Sequence, residues 1–339
     1  MNHKIANASF FAVLMVAGIH TVGCDLDDAF HGSALWWWEV VGHYGLFNVA
    51  VPFFFICSGY FLAGHMQEDG WYKRECLKRV RTLLVPYVVW SLVFALLPLA
   101  TSLLPNLMHG RVALMDRYAS LQFWVNTFGL NPFAWPRLVP LWYVRTLLIF
   151  VAISPLLCNF IEKSGGIALL VCGLLSLALW IYGWRSQGRG YLLLTKCFNV
   201  SGLFYFCCGI YGQLKQIRLP KRGRLIALIA GLGLAIANGY CIMSGSRGII
   251  PLWVPILLFG LWWCVPERPL PKWLTGASFA IYLLHMVIYR CLDIAFNFPV
   301  DGVLRWIVKW LIGVGGSLLV VQVLRGYYPK MANWVFGGR

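Results

Sequence analysis

Charge is scarce in this chain. Only 12% of its 339 residues are Asp, Glu, Lys or Arg, about half the share of an ordinary water-soluble domain. The acidic residues number 12 against 28 basic ones. No polar block is long enough to fold by itself in water, which excludes a soluble domain held by a single anchor. No cysteines stand at CxxC spacing and no Cys/His group has zinc-ligand spacing. The eleven cysteines are therefore read as small apolar packing residues, with neither a metal site nor a disulfide framework expected. Internal repeats, heptads and low-complexity tracts are missing as well. The first apolar run has no small-residue cleavage site close behind it, so it reads as a retained helix.

What the chain does have is apolar surface. Hydrophobic residues make up 60% and aromatic residues 16%, mean hydropathy is +0.72, and apolar runs recur from residue 5 to residue 324. A helix needs roughly 20 such residues to cross the hydrocarbon core. Ten stretches qualify: 5–23, 45–64, 82–104, 141–161, 167–184, 199–214, 224–243, 249–265, 277–296 and 303–324. The expected fold is all-α, a polytopic membrane protein of about ten transmembrane helices forming one domain over residues 1–339, with the lipid bilayer as its first partner.

The net charge of +16 then becomes a statement about orientation. With both termini inside, seventeen cations fall on the cytoplasmic loops, among them Lys73, Arg74, Lys78, Arg79 and Arg81, and Lys215, Arg218, Lys221, Arg222 and Arg224. Seven fall on the other face: Arg111, Arg117, Arg137, Arg185, Arg189, Lys196 and Arg247. That division satisfies the positive-inside rule with both termini cytoplasmic. It also removes the reason to invoke nucleic acid. The first outer loop is acidic, with Asp25, Asp27, Asp28 and Glu39 beside the run Trp36, Trp37, Trp38; the run reads as an interfacial anchor and the carboxylates as solvated.

Ionisable residues inside a span are expensive and are functional candidates by default. His20 lies about 22 Å along the first span and His285 roughly 12 Å from the inner end of the ninth, at ~1.5 Å per residue. A neutral imidazole can accept a proton from a hydroxyl near neutral pH. Tyr282 precedes His285 by three residues and shares its face. Arg145 follows Trp142 and Tyr143 one turn into the fourth span and needs an anionic or carbonyl partner. Arg290 and Asp293 share a helical face and read as a structural ion pair. In the second span, Gly59 allows close helix approach, while Ser58 and Tyr60 flank it either as part of a packing notch or as the lining of a channel.

Several local sequences, in this order, resemble the acyltransferase-3 family of integral membrane acyltransferases. They are VLMVAGIH (Val13 to His20), VPFFFICSGYFL (Val51 to Leu62), the basic KRVRTLLVPYVVWS (Lys78 to Ser91), PLWYVRTLLIF (Pro140 to Phe150) and SFAIYLLH (Ser278 to His285). The resemblance implies about ten core spans and transfer of an acyl group, commonly acetyl from acetyl-CoA, to hydroxyls of cell-surface glycans or other small acceptors. It makes His20 the catalytic histidine and implies a bacterial inner membrane location. No permanently bound cofactor is implied; acyl-CoA is a substrate. The arginine that many members carry eleven residues before the histidine is Ser9 here, and a nearby Asp is replaced by Asn7. Arg79 and Arg81 are the candidate replacements on the donor's phosphates, and Ser58, Tyr60, Trp142, Tyr282 and His285 the candidate donor-side lining. Arg145 is the nominee for the oxyanion. The other reading is a transporter or flippase of acylated metabolites or lipid-linked glycans. Against it, the chain shows no matching pair of broken segments in two halves. Oligomeric state is not legible in the sequence.

Overall fold

A computed structural model describes residues 3–21, 31–101, 116–183, 188–295 and 303–338. The acidic residues Asp25, Asp27 and Asp28 lie outside the described residues. The regular secondary structure among the described residues is helical, with no β-strand. In chain order the helices are α1 (His3–Ile19), α2 (Ala34–Ala63), α3 (Trp71–Ala100), α4 (Leu121–Thr127), α5 (Leu141–Ala152), α6 (Ser154–Ser164) and α7 (Gly166–Tyr182). They continue with α8 (Arg189–Leu214), α9 (Arg224–Met243), α10 (Trp253–Cys264), α11 (Lys272–Thr275), α12 (Ser278–Ala295), α13 (Val303–Tyr327) and α14 (Pro329–Val335).

Five of these, α2, α3, α8, α9 and α13, are each long and apolar enough to cross a membrane; α5 with α6, bent by 65°, makes a sixth if the pair is one span. Three shorter apolar helices, α1, α7 and α10, accompany them. Each of the ten expected stretches carries one of these helices or α12, with shifted ends. The second begins earlier than hydropathy placed it, at Ala34, because Ser33 caps it by accepting a hydrogen bond from the Trp36 amide at 3.1 Å. Trp36 to Glu39 therefore stand on a helix and not in a loop. The α5–α6 bend has a local cause. Pro155 lacks the N–H that would reach the Val151 carbonyl, and the Ser154 hydroxyl takes that carbonyl instead at 2.7 Å.

Helix α9 follows the pattern for helices that share an apolar solvent, with small residues facing inward and large ones outward. On α9 the buried positions are Gly231, Ala235, Asn238 and Gly239, while Ile226 and Ile229 stay 73% and 65% exposed. Helices α2 and α8 approach backbone to backbone. A Cβ on Gly59 would come 2.1 Å from the Phe206 carbonyl oxygen, and one on Gly209 would come 2.0 Å from that of Ile56. Glycine is required at both. Gly209→Ala is expected to destabilise the protein by about 1–3 kcal/mol through overpacking, seen as a lower thermal midpoint in detergent. Gly212→Ala, which adds a methyl to open space on the same helix, serves as the neutral control.

Candidate active site at the end of the first helix

Helix α1 stops at Ile19, and His20 follows in the turn, half-buried. Its position is fixed from several sides. The His20 amide donates to the Ala17 carbonyl at 3.2 Å, and Tyr289 of α12 donates its hydroxyl to the same carbonyl at 3.0 Å. One turn earlier, Trp310 of α13 donates its indole N–H to the Leu14 carbonyl at 3.0 Å. Tyr289 fits because Gly313 opposes it; a Cβ there would lie 2.0 Å from the Tyr289 ring. These bonds satisfy carbonyls near the helix end and anchor His20 to two other helices.

The two histidines picked out singly in the sequence meet. The rings of His20 and His285 stack with centroids 5.4 Å apart and 29° between planes. His285 is fully buried. Its Nδ1 lies 3.0 Å from the Ile281 carbonyl, a bond that only an N–H can make, so the proton is assigned to Nδ1 and Nε2 carries the lone pair. That Nε2 is buried without a hydrogen-bond partner.

A line of aromatic rings and hydroxyls leads away from the pair. The ring of Tyr282 is 6.4 Å from that of His285, and its hydroxyl donates to the Pro140 carbonyl, tying α12 to the start of α5. Tyr143 lies 6.1 Å from Tyr282 and shares a 3.0 Å hydrogen bond with Ser58 of α2. Trp142 packs outside this line, 5.1 Å from Trp135 and 6.2 Å from Phe55. His20, His285, Tyr282, Tyr143 and Ser58 thus form one connected group at the junction of α1, α2, α5 and α12.

Other sequence candidates sit elsewhere. The Arg145 guanidinium, nominated for the oxyanion, is occupied with backbone: Nη1 donates to the carbonyls of Gly129, Asn131 and Ala134 at 2.8, 3.3 and 3.2 Å, and Nη2 to that of Lys196 at 2.7 Å. Two residues beyond Tyr143, it points about 200° around the helix from it. Its task is to hold the segment between α4 and α5 against α8. Tyr60 stands two residues beyond Ser58, so it too points away from the Ser58–Tyr143 hydroxyl pair, and its backbone lies where α2 crosses α8 at Gly209.

Arg79 pairs with the buried Glu75 at 3.2 Å, which Lys78 also reaches at 2.9 Å; Arg81 is exposed. Chiefly the hydrogen bond from His65, with that from Arg74, holds the exposed Glu68 carboxyl below its usual value. This basic segment docks at the far end of α5, where Tyr72 donates to the Ala152 carbonyl at 2.8 Å. Nine residues separate Ala152 from Tyr143, about 14 Å of helix, so Arg79 and Arg81 belong to a separate region from the imidazoles.

Two further readings change, those of Asp293 and Glu39, and Asn7 and Ser9 of α1 find their partners. Asp293 pairs with Lys309 of α13 at 2.7 Å and not with Arg290 on its own helix. Asn7 is a buried clamp, donating to the carbonyls of Pro266 and Arg268 and accepting from the Leu270 amide. Ser9, at the position of the family arginine, donates to the Ile5 carbonyl of its own helix at 2.8 Å. Glu39, expected to be solvated, is fully buried.

The model of the acyltransferase domain matches residues 7–326. The chain belongs to the acyltransferase-3 family. Its apolar helices suit a membrane protein. Among curated proteins, the family resemblance extends to the succinoglycan biosynthesis protein ExoH of Rhizobium meliloti (strain 1021), 26% identical over 273 residues, covering 75% of this chain and 66% of that protein. No solved structure matches the chain.

Proposed function

We propose that this acyltransferase moves an acyl group, acetyl in the first instance, from acyl-CoA to a hydroxyl of a cell-envelope glycan. The acceptor class is supported by the similarity to a protein named for succinoglycan biosynthesis. The observation that carries the mechanism is the stacked His20–His285 pair. It sets two imidazoles side by side at the end of α1 in a chain matched to the family almost throughout.

In this reading the chain crosses the membrane ten times with both termini cytoplasmic, as the seventeen-to-seven division of cations supports. The donor approaches from the basic inner face, its phosphates met by Arg79, Arg81 and their neighbours. His20 removes the proton of the acceptor hydroxyl while that oxygen attacks the thioester carbonyl. The Nε2 lone pair of His285 is a second acceptor for the incoming hydroxyl. The tetrahedral oxyanion needs a donor. Because Arg145 is engaged by four carbonyls, the Ser58–Tyr143 hydroxyl pair takes that nomination. Collapse breaks the C–S bond, and the departing thiolate takes the proton back from His20, so the balance is one ester and one thiol.

Purified protein in lipid, given acetyl-CoA, is expected to release thiol only when an envelope polysaccharide is added. Movement of glycan across a vesicle membrane with no thiol release would contradict the proposal.

A further inference from the structure

Cations on the outer face of a membrane protein run against the positive-inside rule. In the proposed orientation, Arg117, Arg137, Arg189 and Lys196 are such cations, and all border the segment between α4 and α5 or its approach. The Arg189 guanidinium of α8 lies 5.9 Å from the Phe133 ring, and the Lys196 ammonium 5.3 Å from that of Trp135. Two residues beyond Trp135, the Arg137 guanidinium lies 4.3 Å from the Phe123 ring. Burial, and after it the like charge of Arg117, holds Arg137 below its usual value.

These cations lack carboxylate partners. Among the described residues, none of the four makes an ion pair, and neither does the exposed Asp116 beside Arg117. The Arg137 Nε is buried without a hydrogen-bond partner. Arg189 and Phe133 are exposed.

The surface is also firmly built. Arg145 binds the carbonyls of Gly129, Asn131 and Ala134 on one side and that of Lys196 on the other. The Thr146 hydroxyl adds a bond to the Cys197 carbonyl at 3.3 Å. Lys196 stands in a π-turn, Leu193–Cys197, closed by the Phe198 amide on the Leu193 carbonyl at 3.1 Å, an irregularity that recurs at functional sites. The surface reaches the candidate active site through Trp135, whose ring is 5.1 Å from Trp142; Trp142 is 6.5 Å from Tyr143, the partner of Ser58.

We propose that this basic and aromatic surface binds the acceptor, and that the acceptor is an anionic glycan whose carboxylates meet Arg189, Lys196 and Arg137 while a sugar ring lies against Phe133. This rests on the reading of the chain as a glycan acyltransferase and names the class of its acceptor. The rings steady the long cationic side chains through cation–π contact and leave their N–H groups to donate to carboxylates. A neutral glycan would leave the like charges uncompensated. The donor's phosphates are met on the opposite face, so the two substrates are read at different ends of the molecule.

The probe is a short β-1,4-linked glucuronan, compared with the same chain after its carboxyls are reduced to hydroxymethyl groups. Each is offered at low salt to the full protein in nanodiscs of zwitterionic lipid. The wild type is expected to bind the glucuronan at least about fivefold more tightly, by several exposed ion pairs, with the difference shrinking as salt is added. The double variant Arg189→Gln with Lys196→Gln is expected to bind both chains alike. Lys221→Gln with Arg222→Gln, which removes the same charge from the inner face, is expected to keep the preference. If the first double variant does not fold, Arg189→Gln alone, at an exposed position, is expected to lose part of the preference. Equal binding of both chains by the wild type, or an intact preference in the folded Arg189 and Lys196 variants, would overturn the inference. So would an equal loss in the inner-face variant, which would reduce the effect to net charge. A wild type that prefers the glucuronan but forms no ester on any glycan would leave the surface in place and contradict the acyl-transfer reading beneath it.

Discussion

Replacing His20 by alanine is expected to lower kcat by on the order of 10²–10⁴-fold, the range for loss of a positioned general base, with little change in the KM for acetyl-CoA. The fold should tolerate the change. His20 sits past the end of α1 in a half-buried turn, and the bonds that anchor that end, Tyr289 to the Ala17 carbonyl and Trp310 to the Leu14 carbonyl, involve backbone and not the imidazole. His285→Gln is expected to give a smaller loss, because glutamine keeps a hydrogen-bonding group at a fully buried position but lacks the basicity of the unpartnered Nε2 nitrogen. Steady-state kinetics on proteins matched for thermal midpoint checks both. A His20→Ala enzyme with a wild-type kcat would remove the base from this site.

The second large effect is on stability. Arg145→Ala leaves the carbonyls of Gly129, Asn131, Ala134 and Lys196 without their charged donor. The expected cost is about 2–4 kcal/mol, given ~1.5–3 kcal/mol for a single hydrogen bond to a charged group and partial replacement by water. Lysine is not expected to rescue it, because a single ammonium cannot span the carbonyl of Lys196 on one side and the three of the α4–α5 segment on the other. Thermal unfolding of the detergent-solubilised variants reads this directly. An unchanged midpoint together with lost acyl transfer would return Arg145 to the catalytic role the sequence suggested.

The contrast between these residues shows what kind of information a sequence holds. Hydropathy is local, so the helices were legible; their ends moved at α2, where Ser33 caps an earlier start, at the Pro155 break, and at α3 and α8, where helical turns bearing charged residues run on into the apolar span. His20 and His285 were each legible as costly polar groups in apolar surroundings. Their stacking was not, because 264 intervening residues have to fold before the rings meet. Partner choice failed wherever the partner was distant. Asp293 was matched to Arg290 three residues away, but the bond goes to Lys309 on the next helix. Arg145 was legible as a buried cation in need of an anionic or carbonyl partner and was nominated for the oxyanion; which carbonyls it takes, those of a neighbouring segment and of α8, was not legible. Glu39 beside three tryptophans looked like a solvated loop residue. Ser33 starts the helix earlier, and α9 closes over the turn with Gly239 against Val40, which no pattern near residue 39 announces. Gly59 was legible as a notch, although its counterpart Gly209 became visible only with the crossing of α2 and α8.

The account rests on acyl transfer at the His20–His285 pair, and the product is the most direct test. Purified protein in lipid is incubated with acetyl-CoA labelled in the acetyl group and with an envelope glycan. Base-labile label on the glycan is counted against thiol released. The account predicts one ester per thiol for the wild type and neither product above background for His20→Ala. Label-free glycan with the wild type, or equal ester formation by His20→Ala, would contradict it.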